Sequence, residues 1–177
     1  MPAATIFVEV RESPMLKAPL RLSGEYRRPD ADTLVREVRA PYAETTTIRD
    51  GHATLARAGK PDRRFALTRA PELAALQTSF GALLSGDVGA LRTHYTVDAQ
   101  GSAAHWALRL VPREAALAAR LQGIVLHGDG GELRCIETVP AKGPVQRTLM
   151  AAAAQAALDA GDAADIAALC RGDRDAG

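Results

Sequence analysis

Phe7-Val-Glu-Val-Arg-Glu-Ser-Pro-Met-Leu-Lys-Ala-Pro-Leu20, Leu22-Ser-Gly-Glu-Tyr-Arg-Arg-Pro-Asp30 and Arg39-Ala-Pro-Tyr-Ala-Glu-Thr-Thr-Thr-Ile-Arg-Asp-Gly51 are short alternating stretches cut by Pro and Gly. Ile6, Val8 and Val10 alternate with Phe7, Glu9 and Arg11, and Leu20 and Leu22 with Arg21 and Ser23. That period of two is the signature of strands. Pro14, Pro19 and Pro29 belong at strand starts, edges or turns, because proline cannot donate to a ladder. Further strands are expected over roughly 33–40, 43–49, 52–58 and 63–69. Asp50-Gly51 is a two-residue hairpin signal between the middle pair. Gly59-Lys60-Pro61-Asp62 is the next turn. No acid, base or nucleophile in this region is placed for chemistry, so the pattern points to a sheet that holds something.

The period then changes. Leu73, Leu76, Phe80, Leu83 and Leu84 fall on one stripe of a helix over 71–84. Pro71 suits its first turn, Glu72 complements the helix dipole there, and Gly86 suits its end. Alternation returns at His94–Asp98 around Tyr95 and Val97, and at His105–Val111 around Trp106, Leu108 and Leu110. Pro112 to about Leu121 reads as a short helix. Ile124–His127 and Leu133–Val139 read as a strand pair joined by Gly128-Asp-Gly-Gly, and 144–149 as one more strand. Residues 150–160 are rich in alanine and favour helix. Asp162-Ala-Ala-Asp165 resembles a capping box, and Ile166, Leu169 and Cys170 are placed to dock the last helix. The order predicts a mainly β, α+β fold: a strongly curved antiparallel sheet or incomplete β-barrel with an amphipathic lid helix and C-terminal helices. With no internal repeat or linker, one domain spanning 1–177 is expected.

Composition narrows the function. At 177 residues the chain is long enough for a real core, and its formal net charge of +1 lacks the basic excess of a nucleic-acid binder. No apolar run is long enough to cross a bilayer. The first residues show neither a basic n-region nor an apolar h-region, so either the protein is cytoplasmic or a signal segment has been removed. Cys135 and Cys170 belong to no CxxC pair, which argues against a metal site. Two separate buried thiols are the expectation, with a long-range disulfide as the alternative in an oxidising compartment. Histidines 52, 94, 105 and 127 are dispersed without HxH or HExxH partners, and Ser79, Ser85 and Ser102 lie outside any GxSxG elbow. No catalytic residue, metal or cofactor is assigned.

The ordered set Phe7…Glu9…Arg11, Pro19-Leu20, Gly24-Glu-Tyr-Arg-Arg-Pro29, Pro41…Glu44, Asp50-Gly51, Leu83-Leu84-Ser-Gly-Asp87, Trp106-Ala-Leu-Arg-Leu-Val-Pro112 and Ile124-Val-Leu-His-Gly128 resembles the LolA/LolB-like periplasmic lipoprotein carriers. It is most similar to divergent LolA-related proteins encoded beside polyene-pigment and fatty-acid-type synthesis genes. The resemblance implies a half-barrel with a helical lid, an apolar interior for acyl chains, and no chemistry. It implies a monomeric periplasmic carrier that takes a lipidated protein or acyl-chain lipid from a membrane donor to an outer-membrane acceptor. It also implies that Arg28, before Pro29, is a lid latch or a head-group contact. The residues expected to line the cavity are Leu20, Leu22, Tyr26, Leu76, Phe80, Leu83, Leu84, Tyr95, Trp106 and Leu108. An acyl-chain hydrolase or thioesterase, and a scaffold of a lipid-synthesis system docking through its alanine-rich tail, are the alternatives.

Overall fold

The computed structural model describes residues 3–12, 17, 19–69, 88–159 and 163–172. The alternating stretches form eleven strands. They are β1 (Ala3–Arg11), β2 (Leu20–Asp30), β3 (Thr33–Ala40), β4 (Glu44–Arg49), β5 (His52–Arg57) and β6 (Arg63–Ala66), then β7 (Tyr95–Gly101), β8 (Trp106–Pro112), β9 (Leu121–Asp129), β10 (Glu132–Pro140) and β11 (Gln146–Met150). Helices are α1 (Val88–His94), α2 (Ala115–Ala118), α3 (Ala151–Leu158) and α4 (Ala163–Arg171), and a 3-10 turn spans Leu67–Arg69. The strand order is β6-β5-β4-β3-β2-β1-β11-β10-β9-β8-β7. Since β6 and β7 end that order, the sheet is unclosed among the described residues, and the class is mainly β, α+β, as expected. The expected strands are all present, the one expected over 63–69 giving way to the 3-10 turn. The expected helix over 71–84 lies outside the described residues, so Leu76, Phe80, Leu83 and Leu84 carry no structural account. Helix α1 was not anticipated.

The chain forms two compact units, residues 1–6 with 22–91, and residues 7–21 with 92–177. In the first, Asp50-Gly51 makes the β4–β5 turn, with φ of 50° and 73°. The cross-strand row Leu34–Ile48–Ala53–Phe65 and the row Tyr26–Arg36–Thr46–Leu55 share one face. Most of their members are buried. The opposite face carries Glu25, Arg27, Glu37 and Arg39, joined by ion pairs of 2.8 to 3.8 Å. Arg39 holds the Glu37 carboxyl below its ordinary range. Gly24 is required where β2 crosses β3, because a Cβ would run into the Glu37 carbonyl.

In the second unit β1 pairs with β11, Phe7 opposite Met150 and Arg11 opposite Gln146, and β11, β10, β9, β8 and β7 follow as antiparallel neighbours. The side chains of each row share a face. One face holds Leu108–Leu126–Ile136–Thr148–Glu9 and Leu110–Ile124–Thr138–Gln146–Arg11. The other holds Val8–Leu149–Cys135–His127 and Val10–Arg147–Glu137–Val125, and α4 binds it.

The tail is a docked element. Ala153, Ala154, Ala157, Ile166 and Cys170 are buried. The backbone N–H of Ala152 donates to Glu132 at the start of α3, and Arg21 donates to the Ala157 carbonyl at its end, 3.0 Å away. Acid at the N-terminus and base at the C-terminus both suit the helix dipole. Cys135 and Cys170 are joined in a disulfide, with 5.1 Å between Cα atoms. This corrects the expectation of two separate thiols: each cysteine reads as an ordinary buried position, and the pairing depends on where α4 docks, which local periodicity does not encode.

Two outcomes follow from this packing. The Trp106 indole lies over Gly128, where a Cβ would collide with its ring carbons. Gly128→Ala therefore destabilises the protein by about 1–3 kcal/mol, and shifts the emission of the single tryptophan in the folded state. Replacing both Cys135 and Cys170 by alanine removes a cross-link with a sequence separation of 35. Urea unfolding should show a loss of about 3–4 kcal/mol.

Candidate lipid-binding face and the tail clasp

The sequence-predicted lining residues separate by unit. Leu22 and Tyr26 lie on the buried face of the first unit, both almost fully inaccessible. Tyr95, Trp106 and Leu108 lie in the second unit on one face of β7 and β8, as the pairs Tyr95–Pro112, Ala99–Leu108 and Gly101–Trp106 require. Leu20, at the first position of β2, is half-buried. Tyr95 and Trp106 stand about 20 Å apart along the strand, at ~3.3 Å per residue. They are not equivalent. Tyr95 is buried, and burial pushes its phenol up to about 12, so it stays neutral. Trp106, Leu108 and Val97 keep part of their surface exposed. The Trp106 indole N–H donates to the Gly130 carbonyl at 2.8 Å, which fixes the ring while leaving its face apolar. Val97, Trp106 and Leu108 thus form a half-open apolar strip beside fully buried Leu110 and Leu126.

Arg28 donates to the Ala31 carbonyl at 2.7 Å, within the turn from β2 to β3. Its neighbour Arg27 pairs with Glu37 at 2.8 Å on the charged face. The arginine that the apolar face of this unit does enclose is Arg36, in the row between Tyr26 and Thr46 and buried. Its alternation with Leu34 and Val38 was the available signal: a charge at an inward position of an otherwise apolar strand. An open groove of about 520 Å³ at the end of β3–β5 is lined by Glu37, Arg39, Glu44, Arg57 and Asp62. Val38, Ala43, Ala56 and Ala58 also line it, so charged and small apolar groups share its walls.

Two of the histidines, His105 and His127, bond to carboxylates. His105 Nδ1 is 2.6 Å from Asp129 Oδ1, and His127 Nε2 is 2.6 Å from Glu137 Oε1. The His105 hydrogen bond holds the Asp129 carboxyl below its ordinary range, and the His127 hydrogen bond does the same for Glu137. Both pairs sit beside α4. Arg134 bonds Asp129 Oδ2 at 2.7 Å and the Leu169 carbonyl, near the end of α4, at 3.0 Å. The Ser102 hydroxyl accepts from the backbone N–H of His105, and the imidazole of His105 packs against Gly172. These histidines clasp the tail helix to the sheet.

A profile of the family described as outer membrane lipoprotein carrier protein LolA-like matches residues 1–173. The chain belongs to this LolA-like family. A search of curated proteins found no match. Among solved structures, the chain is similar to the LolA superfamily protein NE2245 from Nitrosomonas europaea. Identity is 8%, coverage is 84% of this chain and 83% of that one, and the TM-score is 0.42. It is also similar to a chain of the Pseudomonas aeruginosa MucA/MucB complex, at 17% identity, 93% and 56% coverage, and a TM-score of 0.41. Membership of the LolA-like family makes this a carrier-type protein of lipid or lipoprotein. Among the described residues, no helix is long and apolar enough to cross a membrane.

Arg134 is buried and ties two elements together. Arg134→Met removes the charged bonds that Arg134 makes to the Leu169 carbonyl and to one Asp129 oxygen. A loss of about 2 kcal/mol in stability is expected, together with faster amide exchange in α4 than in β8 and β9.

Proposed function

We propose that this LolA-like protein is a non-enzymatic periplasmic carrier, acting as one domain over residues 1–177. It binds the acyl chains of a lipoprotein or polyene-type lipid and delivers them toward the outer membrane. The observation that carries this reading is the half-open apolar strip of Val97, Trp106 and Leu108 on a sheet whose opposite face is already occupied by the protein's own tail. Acyl binding needs apolar area, and each buried methylene contributes about 0.8 kcal/mol. The Cys135–Cys170 disulfide supports an oxidising compartment such as the periplasm.

Two arginines are candidates for the latch or head-group role. Arg28 has the position that the family resemblance suggests for a latch. Arg36 is the buried guanidinium on an apolar face, where a charge persists only with partners around it. Both carry the latch or head-group role as alternatives. Replacing each by leucine separates them, since only the residue in that role changes cargo release.

Trp106 is a built-in reporter. Titration of delipidated protein with a bromine-labelled fatty acyl chain should quench its emission. Leu108→Asp should weaken the apparent affinity by about tenfold or more, because a charge replaces a contact worth roughly 2 kcal/mol. Unquenched emission, with no lipid bound in native mass spectrometry, would remove the carrier reading.

A further inference from the structure

Beneath α4, the side chains of His127, Glu137 and Cys170 bring one ligand atom each within 4.8 Å of one another. Cys135 is joined to Cys170 there, and both cysteines are fully buried. We propose that this cluster is a latent zinc-type site, completed when the disulfide is reduced. Four donors then converge: the thiolates of Cys135 and Cys170, the imidazole of His127 and the carboxylate of Glu137. Two sulfurs with one nitrogen and one oxygen suit a tetrahedral borderline-soft cation such as zinc(II).

The charges and the surroundings fit. Two thiolates and one carboxylate against a divalent ion leave one negative charge, and Arg147 is already placed to meet it. Its Nε lies 3.1 Å from Glu137 Oε2, the oxygen turned away from His127. Glu137 Oε1 is thus the oxygen free to exchange histidine for metal, while Oε2 keeps Arg147 as an outer-shell partner. Tetrahedral zinc spaces its donors by about 3.3–3.8 Å, so the ligand atoms need to close by roughly 1 Å while the sulfurs move apart. The four donors come from β9, β10 and α4, which is why no spaced sequence motif marks them.

The redox step balances. A dithiol reductant is oxidised to its own disulfide and gives two electrons and two protons to Cys135–Cys170, breaking the S–S bond and leaving two thiols. Metal binding then displaces those two protons. The site would keep α4 on the sheet in the reduced protein, replacing the covalent tie by a coordinate one.

The test uses the full chain, reduced with a phosphine under anaerobic, chelator-stripped conditions and titrated with cobalt(II). The phosphine is oxidised to its oxide with oxygen from water. The expected result is one equivalent bound with thiolate-to-cobalt charge transfer and tetrahedral visible bands, displaced by zinc and absent from the oxidised protein. Zinc should also raise the Tm of the reduced protein. His127→Gln and Glu137→Gln should each weaken binding by more than the roughly 10–100-fold typical of losing an outer-shell partner. If the reduced protein gives only the weak octahedral spectrum, the proposal fails. It fails equally if cobalt binds as tightly in either variant, since two thiolates alone would then hold it; one folded variant is enough to decide.

Discussion

The antiparallel pairing of Phe7–Arg11 with Gln146–Met150 is the constraint on which the second unit rests. It joins segments nearly a chain length apart, so its loop-closure cost is met only once the rest of the sheet has formed. The pairing also decides what the two faces of β11 become. Leu149 and Arg147 are turned toward the tail, and Thr148 and Gln146 toward Glu9. The Glu9 side chain is buried, and it accepts hydrogen bonds from Gln146, Thr148 and Arg11, as a buried polar group in that position must. A one-residue slip would exchange the faces and leave that carboxylate against the tail helix.

Much of this architecture was legible in the chain because strands announce themselves locally. Alternation at Ile6–Val10, the Asp50-Gly51 turn and the apolar spacing around Trp106 each depend on neighbours in sequence. The burial of Leu22 and Tyr26 follows the same period of two. What could not be read was set by long-range docking. Cys135 reads as a strand residue and Cys170 as a helix residue, and only the seating of α4 joins them. Arg36 is marked in the sequence only by its phase with Leu34 and Val38, whereas Arg28, the residue that the resemblance implies, lies at a turn where its guanidinium serves the local backbone. Helix α1 has a glycine in its second position and no strong stripe, so periodicity alone carried no signal for it.

The alanine-rich tail illustrates how a low-specificity sequence gains a definite position. Alanine supplies helix propensity and close approach but little directional information. That information comes from the sheet. Arg21 meets the end of α3, Arg134 the end of α4, and Glu132 the start of α3. The disulfide adds a covalent reference point. A reading in which this segment is a free docking arm conflicts with the burial of its small apolar face.

Among the described residues, the unclosed strand order leaves two ladders unfinished, at β6 and at β7. Such rims invite pairing with another chain. Here one rim is four residues long and begins Arg63-Arg64, while the other carries Asp98 and Gln100 on exposed positions. Short length and guanidinium charge at one rim, and polar solvated side chains at the other, discourage strand addition by neighbouring molecules. A sheet that also carries a half-open apolar strip has the more to lose from edge-to-edge polymerisation, and these few polar residues oppose it.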